Sequence, residues 1–206
     1  MHYLLAKFFE TPSAAHYLAV QAAVRREPTL SLFAEGSAEI AQLMAAEKYK
    51  PSRRRIASLM PGAALSPRMH AWSVVIASHL NDDFDAELEG FMYQACLQGL
   101  VATGDGSESH PYLVTYPNDG HDLLESRGLR AIGQEVVEQN SRRFDVLHCE
   151  NGTTLWCDVS QLVVGRPQLI AARPKFAVHS QHATPAPAAK KRRNEAVKAG
   201  SRRAKA

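Results

Sequence analysis

Cysteine is scarce in this chain. Three residues in 206, Cys96, Cys149 and Cys157, give an odd number with no CxxC spacing. That usage argues against a disulfide framework or a paired-cysteine zinc site. It fits a reducing compartment, so the chain is expected in the cytoplasm. No run approaches the ~20 apolar residues a membrane-spanning helix needs, so no membrane partner is expected. The opening MHYLLAKFFE is too short for a secretory signal and lacks its basic lead. No G-x-S-x-G elbow or Walker-type loop is present, and the Gly-Asp-Gly at 104–106 reads only as a turn. His110, His121 and Asp122 follow an H-x10-H-D spacing that matches no metal template. Catalytic residues, cofactors and metal ligands are therefore all assigned as none.

The most informative absence is of positive charge. Between Met69 and Ser126 there is no Lys or Arg, against ten Asp or Glu. The missing cations gather at the end: from Lys190 onward, KKRRNEAVKAGSRRAKA carries eight Lys or Arg and one Glu. The chain's net +3 thus divides into a body near −4 over 1–189 and a tail of +7. After Phe176 the composition turns to Ala, Pro, His and Lys, from which no core can form, so disorder is expected there.

Apolar residues make up 45% of the chain, enough for a core without staples. The start, YLLAKFF, suits a strand or a turn of helix. Thr11-Pro12 reads as an N-cap with proline at the first helical position, leading a helix to Pro28. A second helix is expected from Ser37 to before Pro51. A third, Ser52 to Met60, carries Arg53, Arg54 and Arg55 in its first turn, where cations oppose the helix dipole and so need open water or an anionic partner. Ser66-Pro67 repeats the cap signal, with Met69, Trp72, Val75, Ile76 and Leu80 at helical spacing. Asn81 and Asp82 break that run and cap the next helix, on which Phe84, Leu88, Phe91, Ala95 and Cys96 form one stripe. LVATGDGSESHPYLVTYP reads as a hairpin, and Gly120 to about Asn140 as a helix carrying Leu123, Leu124, Leu129, Ile132 and Val136. Asn151-Gly152 signals a closing hairpin with a two-residue turn. That turn would set Leu147 opposite Trp156, Val146 opposite Cys157 and Cys149 opposite Thr154, so the two cysteines would lie on opposite faces, unable to pair. This hairpin could be a barrel-like appendage or could add strands to a main sheet.

Residues 68–125 resemble the core of a winged helix-turn-helix. The order is helix, a polar break at NDD, a second helix ending in Gly99-Leu100-Val101, a returning strand over Tyr112 to Thr115, and a Gly-led helix from Gly120 to Leu124. The resemblance implies DNA binding, with Asn81 to Gln98 as recognition helix. The residues oppose that role. The helix opens NDDFDAELE, five carboxylates between Asp82 and Glu89, and a duplex repels such a segment. Carboxylates there complement the helix dipole, and Asp82, Asp83, Asp85, Glu87 and Glu89 together suit a basic protein partner.

The expected architecture is α+β and mostly helical. It comprises an N-terminal helical segment (1–65), a winged-helix-like unit (66–140), a β-hairpin segment (141–176) and a disordered basic tail (177–206). The expected function is that of a non-enzymatic accessory or regulatory protein that meets nucleic acid mainly through its tail. Lys190, Lys191, Arg192, Arg193, Arg202 and Arg203 would make those contacts, joined by Arg53, Arg54 and Arg55. The alternative is a protein–protein adaptor using the acidic helix, with no direct nucleic-acid role. Deleting 183–206 should leave the unfolding midpoint unchanged and remove most binding to nonspecific DNA. Denaturation curves and DNA titrations at two salt concentrations check both; undiminished binding by the truncated chain would return attention to the body.

Overall fold

The computed structural model describes residues 1–162. The expected tail, with Lys190, Lys191, Arg192, Arg193, Arg202 and Arg203, lies outside the described residues, as does the end of the hairpin segment. The described part is α+β, as the patterning predicts: seven α-helices and a four-stranded mixed sheet.

The helices are α1 (His2–Glu10), α2 (Ala14–Val24), α3 (Phe33–Ala45), α4 (Tyr49–Leu59), α5 (Pro67–His79), α6 (Asp83–Val101) and α7 (Asp119–Ser126), with a 3-10 helix at Pro28–Leu32 before α3. Ser13, not Thr11, caps α2: its hydroxyl accepts from the His16 amide at 3.3 Å. α4 starts at Tyr49, three residues ahead of expectation. Pro51 fits inside its first turn because an amide hydrogen has no acceptor there anyway. Arg53, Arg54 and Arg55 consequently fall in the second turn. Ser66 caps α5 as expected, accepting from the Met69 amide at 3.4 Å, and Pro67 follows at the first helical position. Asn81, at φ 56°, ends the approach to α6, and Asp82 caps that helix by accepting from the Asp85 amide at 3.2 Å.

The strands depart further from expectation. The 100–115 stretch is not a hairpin: Leu100 and Val101 finish α6, a loop follows, and β1 is only Tyr112–Leu113. β1 pairs in parallel with the last strand, so no wing strand forms from Gly99-Leu100-Val101. The residues expected as one helix to Asn140 divide in two. Gly128, at φ 68°, stops α7 as its amide reaches the Glu125 carbonyl and Leu129 reaches Leu124. β2 (Ala131–Gln139) then pairs antiparallel with β3 (Arg142–Cys149) across Asn140 and Ser141, both at positive φ, a twisted two-residue turn. Ile132 and Val136 satisfy a helical period by coincidence; β-branched residues and a competent turn favour the strand.

β3 and β4 (Thr154–Asp158) form the closing hairpin, and it joins β1 and β2 in one sheet of order β1-β4-β3-β2. Its register differs by one residue from the two-residue turn. Leu147 faces Leu155, Val146 faces Trp156 and Asp145 faces Cys157. The loop is Glu150-Asn151-Gly152, with Gly152 at φ 82° and the Cys149 amide reaching the Thr153 carbonyl at 2.8 Å. An odd loop reverses the parity, so Cys149 and Cys157 share the face that holds Leu147 and Leu155. They stay apart because four residues of strand, roughly 13 Å, separate their rungs. All three cysteines are buried free thiols. Trp156 lies on the other face against Phe144, ring centroids 5.7 Å apart.

One cluster of buried side chains, running from Phe8 and Tyr17 through Leu59, Met69 and Leu100 to Leu147 and Cys157, joins helices and sheet. Through it passes the extended stretch from Tyr112 to Tyr116. Gln21 donates to the Leu113 and Val114 carbonyls at 3.0 and 3.2 Å, and the Thr103 hydroxyl accepts from the Leu113 amide at 2.9 Å. Asp119 accepts from the Thr115 and Tyr116 amides at 2.7 and 2.9 Å. Tyr116 donates to the Gly62 carbonyl at 2.8 Å and stacks on Phe33 at 4.3 Å. Burial pushes the Asp119 carboxyl up to about 8, against those two amide bonds.

Where α6 crosses α1 and α2, Gly99 leaves room for two rings: a β-carbon there would lie 2.6 Å from both Phe8 and Tyr17. Gly99→Ala should therefore destabilise the fold by about 2 kcal/mol despite alanine's better helix propensity. Urea unfolding checks this, and a neutral or stabilising result would refute the crossing.

Candidate protein interface on the α5–α6 pair

α6 has 19 residues, a length of about 28 Å. Only its C-terminal part meets the core: buried residues begin at Ala95, and none occurs from Asp83 to Gln94. The first three turns run out beside α5, which packs along α6 more extensively than any other helix does. Small residues permit the approach; Gly90 lies beside Val74.

The stripe expected to point inward is consequently divided. Ala95 and Cys96 are buried, whereas Phe84 is 77%, Leu88 38% and Phe91 53% exposed. Their i, i+4, i+7 spacing puts all three on one face. At its inner end Phe91 approaches Phe9 of α1, ring centroids 6.5 Å apart. Three adjacent apolar side chains on one exposed helix face are more than the scattered surface hydrophobics of an ordinary monomer.

The five carboxylates do not act together. Arg53 of α4 donates to Asp82 at 2.9 Å and to Asp85 at 2.8 Å, joining two loops of chain 29 and 32 residues apart. The hydrogen bond to Arg53 and the Asp85 amide hold the Asp82 carboxyl below its usual range. Glu89 meets His70 of α5, with Nδ1 to Oε2 at 2.6 Å. Asp83 and Glu87 are exposed, and among the described residues neither has an ion-pair partner. They lie one turn apart on one flank of the apolar stripe. Asp82, Asp85 and Glu89 are therefore paired within the chain, and Asp83 and Glu87 alone of the five stand exposed without an ion pair among the described residues.

The three arginines divide likewise. Arg53 is tied to α6, and Arg55 pairs with Glu39 of α3 at 2.6 Å and donates to the Ser58 hydroxyl. Arg54 is exposed. A cationic face over Arg53 to Arg55 does not form, because anions on neighbouring helices take two of the charges.

The other sequence candidates do not converge. His110 is exposed in the loop before β1 beside Ser109, 3.1 Å away. His121 reaches Gln134 at 3.2 Å, and Asp122 receives Nε of Arg68 at 2.8 Å. Among the described residues no group of three or more His, Cys, Asp or Glu could hold a metal ion, and no helix is long and apolar enough to cross a membrane. A cleft lined by Leu18, Gln21, Arg25, Leu113, Asp158 and Gln161 holds one carboxylate, and Arg142 already pairs with it at 2.6 Å. Compared with family models, curated proteins and solved structures, the chain matches none.

His70 fastens α5 to α6 from inside. Its Nε2 donates to the Ala64 carbonyl at 3.0 Å while Nδ1 donates to Glu89, so both ring nitrogens carry protons. Burial lowers its pKa, but the Cys96 sulfur and Glu89 more than reverse that and set it at about 10. A histidine raised in the fold stabilises fully below its unfolded value near 6.5 and loses that contribution as pH rises through about 10. Glu89→Gln should cost about 3 kcal/mol at neutral pH by leaving a buried cation without its anion. The gap between wild type and variant should close as pH approaches about 10; denaturant unfolding across that range measures it.

Proposed function

We propose that the protein is a non-enzymatic adaptor that docks another protein on the outer face of the α5–α6 pair. The observation that carries this reading is the exposed row Phe84, Leu88 and Phe91, held on a helix whose carboxylates are otherwise neutralised from within. Leaving three such side chains in water has no benefit to folding, and exposed apolar patches mark contact surfaces. The helix is held in place by Arg53 and by the His70–Glu89 pair, so a partner would meet a preformed surface and lose little to ordering. This reading keeps the two helices of the winged helix-turn-helix resemblance without its wing strands, and turns them from reading bases to docking protein. The three free thiols support the cytoplasm as its location.

A second reading, sequence-independent association with nucleic acid through the basic tail, is favoured by the eight Lys or Arg gathered from Lys190 onward. The two readings are compatible, since tail and α6 carry opposite charge. Arg53 to Arg55 add little to the second, because Asp82, Asp85 and Glu39 already engage Arg53 and Arg55.

A photo-crosslinking residue placed at Phe91, and for comparison at exposed Glu150, tests the docking surface in cells. A discrete adduct of higher mass is expected from position 91 alone. Its absence, or identical adducts from both positions, would refute the reading.

A further inference from the structure

We infer that the partner docks as an amphipathic α-helix with Lys or Arg beside its apolar seam, packing along α6 as a short two-helix coiled coil. This rests on the docking reading above and specifies its occupant. Phe84, Leu88 and Phe91 repeat at intervals of four and three residues, the d, a and d positions of a heptad, and the next a position, Ala95, is where the seam enters the core. A second helix laid against that seam covers all three exposed side chains, whereas an extended strand, with its period of two, meets them out of step. Glu87 then falls at a g position, flanking the seam, and Asp83 lies one turn before it on the same side. Both are exposed and unpaired among the described residues.

Charge excludes a second copy of this chain, and composition excludes its last seventeen residues. In a second copy of this chain, α6 would bring Glu87 and Asp83 toward carboxylates again. No Lys or Arg lies between Met69 and Ser126 to meet them, and like charges across a helix pair destabilise it. The last seventeen residues have the right sign, but between Lys190 and Ala206 the one large apolar residue is Val197, which cannot cover two phenylalanines and a leucine. A separate helix that is both apolar along one seam and basic along its flank satisfies the whole surface.

The test titrates the full chain with two labelled helical peptides, identical in their leucine seam, one bearing Lys and the other Glu at the flanking positions. Fluorescence anisotropy reads binding at low and high salt. The Lys peptide should bind about tenfold tighter than the Glu peptide, and the preference should reverse on Asp83→Lys/Glu87→Lys. Added salt should narrow the difference. Phe84→Ser/Leu88→Ser, two exposed changes that leave the fold intact by circular dichroism, should abolish binding of both. Equal binding of the two peptides, lost in the serine variant, overturns the basic-partner inference while leaving the docking surface standing. Binding that survives the serine variant, or no binding at all, overturns the helical seam itself. A concentration-dependent dimer in sedimentation that the serine variant abolishes assigns the face to a second copy and overturns the inference as well.

Discussion

Burying an extended piece of backbone obliges every peptide group in it to find a partner, because a buried unpaired amide or carbonyl costs more than most side-chain contacts return. The stretch from Tyr112 to Tyr116 is such a piece. Only two of its residues belong to the sheet, so side chains must supply the remaining partners: Gln21 from α2, Thr103 from the end of α6 and Asp119 from the start of α7. Tyr17 and Tyr116 extend the network, one to the Thr115 hydroxyl at 3.0 Å and the other to the Gly62 carbonyl. Three helices and the turn before α5 are thereby fixed to one segment. Asp119 is buried completely while accepting two amide bonds, and loss of solvation there raises its pKa.

With that centre fixed, the length of α6 has a structural consequence. Its C-terminal turns are held by Gly99 against Phe8 and Tyr17 and by the buried Cys96, so its N-terminal turns must project past the core. A projecting helix needs other support. Arg53 supplies it at the tip, by engaging carboxylates that also suit the positive end of the helix dipole, and His70 supplies it midway through Glu89. The acidic run therefore has two uses: three carboxylates tie α6 to α4 and α5, and two stay in water beside an apolar row. Exposed ion pairs such as that of Arg53 contribute little singly, whereas the buried His70–Glu89 pair is costly to break.

The electrostatic division of the chain is consistent with this arrangement. Arg53, Arg55 and Arg68, near the α5–α6 pair, are spent on internal anions, and the surplus positive charge lies in the sequence after Lys190. Asp83 and Glu87 make the local field at the start of α6 negative, while the sequence after Lys190 is strongly positive. Net charge alone, at +3, conveys neither tendency.

Much of the fold was determined locally and is legible in the sequence. Ser66-Pro67 begins α5, Asn81-Asp82 separates α5 from α6, and Asn151-Gly152 turns β3 into β4, because caps and positive-φ turns depend on residues within three or four positions of each other. The α+β class follows from the same signals. What local signals could not decide was partnership. Leu129, Ile132 and Val136 match a helical period, yet β3 offered their backbone a ladder and Gly128 had already stopped α7. The one-residue difference at Glu150-Asn151-Gly152 reversed the faces of the hairpin, since a sheet's side-chain period is two and parity follows from loop length. The Phe84–Leu88–Phe91 stripe looks in sequence like any core stripe; the five carboxylates among and beside it were the signal that this helix could not be buried on all sides. That it faces water was decided by tertiary structure alone, because exposure depends on where the core ends relative to a helix, and no residue on the helix records that distance.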